Sequence, residues 1–104
     1  MNNFQDREKA FEAKFAHDEE LRFKVDARRN KLLGLWLADK MGKTGDDAES
    51  YAKEVVISDL KEAGDADIIE KVMTDIKDAG LGISEAEIVE KLSEFFVKAG
   101  EELS

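Results

Sequence analysis

Glycine is the only strong helix breaker in this chain, because its 104 residues include seven glycines and no proline. The positions of the glycines therefore set how many helices can form. Gly42/Gly45, Gly64 and Gly80/Gly82 each follow a segment with apolar residues at helical spacing, where a glycine in the left-handed conformation ends a helix. Start signals come directly after. Thr44 or Asp46 caps a helix predicted to reach Ala63, with Ala48, Tyr51, Ala52, Val55, Val56 and Leu60 at period 3.6. Asp65 caps a helix to Ala79 that lines up Ile68, Ile69, Val72, Met73 and Ile76. Ser84 and Glu87 form a capping box, with Ile83 and Ile88 spaced for a hydrophobic staple. They open a last helix that buries Ile88, Leu92, Phe95, Phe96 and Ala99.

Upstream, the apolar residues of Leu32 to Met41 crowd together as on a mostly buried helix, and Trp36 belongs to that core. Gly34 inside it costs about 1 kcal/mol relative to Ala, which implies a close helix–helix contact. The first residues differ. Phe4, Phe11 and Phe15, at spacings of seven and four, form a thin aromatic stripe on an otherwise charged segment. That stripe has little of its own to pack on, a pattern that suits partner binding. No run alternates as a half-buried strand would. The expected fold is all-α: a four-helix bundle over residues 18–104, with a flexible or partly helical N-terminal arm over residues 1–17.

Charge narrows the function. The chain carries a net charge of -9. Residues 1–43 have 10 Lys/Arg against 8 Asp/Glu, and residues 44–104 have 6 against 17. An acidic body disfavours nucleic acid, whose binding needs cations on phosphates. Acids crowd the first turns of the predicted helices, as the helix dipole favours. Acid-to-lysine pairs four apart, such as Glu20/Lys24 and Glu87/Lys91, imply exposed faces. MNNFQDREK lacks an apolar signal core, and no apolar run approaches the ~18 residues of a membrane span. A soluble cytoplasmic protein is expected.

Enzymatic chemistry finds few candidates. Cysteine is absent and His17 is the only histidine, so a zinc set and a thiol nucleophile are excluded. The serines cannot be matched to a base and an orienting carboxylate. GKTGDD at residues 42–47 lacks the strand and spacing of a phosphate loop, and the acidic stretches lack the EF-hand pattern. Ser58-Asp59-Leu60 reverses the attachment motif of acyl carrier proteins and falls inside a helix. No enzyme, metal or required cofactor is expected. Arg22, Lys24, Arg28, Arg29 and Lys31 form the one basic cluster. It reads either as a solvated face paired with nearby acids or as an anion-binding patch suited to phosphate.

The segment DREKAFEAKFAHDEELRFKVDARRNKLLGLWLADKMG (Asp6 to Gly42) closely resembles the zeta-subunit family of alphaproteobacterial F-type ATP synthases. YAKEVV at Tyr51 to Val56 and EAGD at Glu62 to Asp65 extend the likeness over nearly the whole chain. The resemblance implies a four-helix bundle that inhibits ATP hydrolysis by the catalytic head of the synthase. Its N-terminal segment would insert at an alpha/beta subunit interface near gamma, with Phe4, Phe11 and Phe15 as partner contacts. It also implies ADP or ATP binding on the bundle, which would give the basic cluster a use, and a place peripheral to the inner membrane through the synthase head. The alternative is an adenine-nucleotide sensor with weak or no inhibitory activity.

Overall fold

The computed structural model describes residues 3–59 and 64–103, with side chains from residue 6 onward. Five helices follow one another: α1 (Asn3–Phe15), α2 (Glu19–Lys40), α3 (Gly45–Ser58), α4 (Ala66–Asp78) and α5 (Glu85–Leu103). Among the described residues there is no strand, so the all-α class holds. The expected four-helix bundle with a flexible or partly helical arm becomes five helices. Residues 3–15 are themselves a helix, and it packs chiefly on α5. The Cα radius of gyration is 13.5 Å, near the ~13 Å of a compact chain of about 100 residues. The arm is therefore folded back rather than splayed.

Two of the three glycine stops, at Gly42 and Gly80, work as expected. Gly42 takes a φ of 78° and Gly80 a φ of 70°. Behind them Lys43 N–H donates to the Ala38 carbonyl at 2.9 Å, and Leu81 N–H donates to the Ile76 carbonyl at 3.0 Å. Bonds of 3.1 Å from Gly42 N–H to the Asp39 carbonyl and from Gly80 N–H to the Lys77 carbonyl complete a Schellman motif at each end. The caps are more varied. Asp18 accepts from Leu21 N–H at 2.9 Å, and Ser84 Oγ accepts from Glu87 N–H at 3.2 Å. Asp65 makes no side-chain cap bond, because its carboxylate is drawn to Arg29 on α2. The helix α3 stops at Ser58, short of the predicted Ala63, and residues 60–63 lie outside those described.

Two clusters hold the fold. The main core joins Leu33, Leu37 and Ala38 of α2 to Tyr51 and Val55 of α3, to Ile68, Val72 and Ile76 of α4, and to Ile88, Leu92 and Phe95 of α5. Among the described side chains, none of α1 belongs to it. Gly34 marks the expected close approach: a Cβ there would stand 2.6 Å from the Ala52 Cα. Trp36 packs against this core only in part, with the Lys40 and Lys91 ammonium groups 5.5 and 5.1 Å from its ring centroid. The phenol of Tyr51 donates to Asp75 at 2.8 Å and ties α3 to α4. Burial, together with that bond, pushes its pKa well above the ordinary tyrosine value. The second cluster is Phe15, Val25, Phe96 and Ala99, with Phe11, Leu21 and Leu32 against it. It seats α1. No described helix is long and apolar enough to cross a membrane.

Candidate functional site

The aromatic stripe is the first predicted site. The side chain of Phe4 lies outside the described residues. Phe11 and Phe15, one turn apart on α1, stack with ring centroids 5.6 Å apart and an interplanar angle of 18°. The Lys14 ammonium sits 5.9 Å from both centroids. The stripe does find something to pack on. Phe15 is 1% exposed, and Phe11 faces Gly100 of α5. Polar ties flank the pair. Ser93 Oγ donates to Glu8 Oε1 at 3.2 Å, and Arg7 pairs with Glu101 at 2.7 Å.

The basic cluster is the second, and the structure scatters it. Lys24 pairs along its own helix with Glu20 at 3.4 Å. Arg28 reaches Glu102 on α5 at 2.7 Å, and Lys31 reaches Glu49 on α3 at 3.6 Å. Arg29 is buried: its guanidinium lies 3.0 Å from Asp65 and 3.6 Å from Asp59, and its Nε donates to Asn30 Oδ1 at 2.9 Å. Asn30 in turn donates to Asp59 Oδ2 at 2.8 Å. Arg29 therefore clamps the α3–α4 connection onto α2. Of the five cations, Arg22 and Arg29 line one cavity together.

That cavity is a cleft of about 500 Å³ between α1, α2 and the α3–α4 connection. Besides the two arginines it is lined by Glu8, Glu12, Asp26, Asp59 and Asp65, with Phe23 at its edge, 59% exposed. Carboxylates outnumber arginines, so the cleft interior favours cations over polyphosphate. Burial pushes the pKa of Glu8 up, with Glu12 adding to the shift and the Ser93 hydroxyl opposing it. Burial likewise raises Asp26 and Asp59, against the pull of Arg29. Asp59 Oδ1 is buried with no hydrogen-bond partner among the described residues, which agrees with that direction. No group of three or more metal-ligating side chains occurs among the described residues.

Sequence reasoning missed two features. The α5 half of the seat for α1, Phe96, Ala99 and Gly100, lies more than 80 positions downstream of Phe11, and only the small Gly100 hinted at it. The cleft draws its acids from three separate stretches that no local pattern joins.

No curated protein matches the chain significantly. One solved structure, determined in solution by NMR, is similar at a TM-score of 0.71 and 43% identity, covering 80% of this chain and 94% of that one. Residues 1–102 match the family described as ATPase inhibitor subunit zeta. With the match running almost end to end, the chain belongs to the ATPase inhibitor zeta-subunit family, whose role is regulatory and inhibitory rather than enzymatic.

Proposed function

We propose that this chain inhibits ATP hydrolysis by the catalytic head of an F-type ATP synthase, with residues 1–17 as the inhibitory arm and α2–α5 as the carrying four-helix bundle. The arm inserts at an alpha/beta subunit interface close to gamma, with Phe4, Phe11 and Phe15 as its anchors. The observation that carries this reading is that none of the described side chains of α1 belongs to the main core. The bundle keeps its packing when α1 leaves, and α1 brings a stacked aromatic edge to whatever it binds next. Aromatic anchors offset the entropy lost when a mobile segment orders on a partner. A helix wedged between subunits would block the closure that ATP turnover needs.

Adenine nucleotide binding on the bundle is the second part of the proposal and also the rival reading. It is supported by the exposed Arg22 beside the exposed ring of Phe23, at the mouth of the cleft. There phosphate can meet the Arg22 guanidinium and a base can stack. Lys24, Arg28 and Lys31 would have to exchange surface pairs for phosphate, while Arg29 is held by Asp59 and Asp65. The purified chain, added to its cognate synthase head, is expected to suppress ATP hydrolysis. Deletion of residues 1–17 should abolish that effect and leave ADP-induced amide shifts around Arg22 in place. Full inhibition by the deleted chain would refute the arm. Shifts without inhibition by the intact chain would favour the sensor.

A further inference from the structure

The aromatic edge of α1 is occupied by its own chain. Phe15 is 1% exposed in a seat of Val25, Phe96 and Ala99. The Phe11 ring covers Gly100 so closely that a Cβ there would stand 3.0 Å from two ring atoms. A side chain this buried cannot touch a partner, so the seated arm and the partner-bound arm exclude each other. We propose that the α1–α5 contact is an autoinhibitory latch: the chain holds its arm closed on α5, and only the fraction with α1 released engages the ATPase. The proposal rests on the reading of residues 1–17 as the inhibitory arm.

The latch is built to open. Among the described side chains its apolar part, Phe11 and Phe15, belongs to the second cluster, so their release leaves the main core unbroken. The Arg7–Glu101 pair is half-exposed, with side chains 48% and 53% accessible, and such pairs hold weakly. Closure also carries Glu8 and Glu12 toward Asp26, Asp59 and Asp65, with Arg22 and Arg29 to offset them. That crowding opposes the seat and keeps it marginal. When only a fraction of the chain is open, the apparent dissociation constant rises by the inverse of that fraction. The seat therefore sets how much chain is needed to silence the enzyme.

Gly100 tests this from outside the arm. Its φ is not in the left-handed region, and Ala or Leu suits a helix better than Gly. The bundle therefore tolerates Gly100→Ala and Gly100→Leu while Phe11 loses its place. Leu is the decisive variant should the ring tilt to admit a methyl. Both variants are expected to inhibit the cognate head at roughly fivefold lower concentration or less, the lower end of what overpacking a tight contact costs. Amide exchange should quicken across α1 and stay unchanged in α2 to α4. The converse is Glu8→Cys with Ser93→Cys in a chain that has no cysteine of its own, bridged by a reductant-cleavable bis-maleimide. Inhibition should vanish in the bridged protein and return on cleavage. If the Gly100 variants and the bridged protein all inhibit as the parent does, the latch is overturned and the inhibitor stands. If no form inhibits, the Gly100 variants included, the functional reading falls and leaves the latch nothing to restrain. A silent parent with active Gly100 variants supports the latch outright.

Discussion

At the scale of single residues, two glycines inside helices act in opposite ways. Neither Gly34 nor Gly100 has a positive φ, so each is there for space rather than for backbone freedom. At Gly34 the neighbour is backbone: a Cβ would meet the Ala52 Cα at 2.6 Å and the Val55 Cβ at 3.3 Å. Gly34→Ala gains about 1 kcal/mol of helix propensity, but α2 and α3 must separate to admit the methyl. Overpacking of this kind costs typically 1–3 kcal/mol, and with no side chain able to swing aside the upper part of that range applies. A net loss of about 1–2 kcal/mol is expected, read as a lower urea midpoint at unchanged slope by the fluorescence of Trp36, the only tryptophan. A raised midpoint would show that the helices part easily. The contact at Gly34 was legible because a glycine amid Leu32, Leu33, Leu35 and Trp36 has no other reason to be there. Arg29 was not. In sequence it looks like Arg22 or Arg28, and only the distant Asp59 and Asp65 make it a buried clamp.

Helices were legible where local chemistry decides them, and obscure where a distant partner does. The ends of α2 and α4 follow from Gly42 and Gly80, and the start of α5 from Ser84, since caps and left-handed glycines act within a few residues. The place of α1 depends on Phe96, Ala99 and Gly100, at the other end of the chain. Nothing near Phe11 announces them. This bears on how the aromatic pair will respond to truncation. Replacing Phe11 and Phe15 with Ala empties the second cluster and removes the proposed anchors together. The main core, which holds neither Phe11 nor Phe15, should keep its urea midpoint by Trp36 fluorescence. Inhibition should weaken strongly, since lost interface aromatics often cost about 2 kcal/mol or more each, a factor of roughly thirty in affinity. The anchor role fails if the double variant inhibits like the parent. The separation of the two clusters fails if the core midpoint drops with it.

The molecule as a whole carries a net charge of -9 and a sequence pI near 4.6, and five of its acids line one cleft. Glu8, Asp26 and Asp59 arrive there from α1, from α2 and from the end of α3, and burial raises the pKa of each. They face Arg22 and Arg29 of α2, Glu12 of α1 and Asp65 before α4, while Ser93 is the α5 group bonded to Glu8. A carboxyl with a higher pKa in the folded state than in the unfolded chain binds its proton more tightly when folded. Its contribution is full below the unfolded value and is lost as pH rises through the folded one. Glu8, Asp26 and Asp59 therefore favour the fold in mild acid. Self-repulsion acts in the same direction, because net negative charge falls as pH approaches the pI. The urea midpoint is expected to be higher at about pH 5.5 than at pH 7.5, with the gain ending near pH 4, where ion-paired carboxylates in general begin to protonate. For Glu8 the proton also favours a closed α1, so amide protection across α1, corrected for intrinsic exchange, should rise over the same interval. Glu8→Gln, neutral at every pH and still able to accept from Ser93, should hold α1 closed at pH 7.5 and flatten that dependence. An unchanged midpoint from pH 7.5 to 5.5 would mean that the cleft is wetter than its burial implies. An α1 that loosens in mild acid would assign control of the arm to the Arg7–Glu101 pair instead of to Glu8.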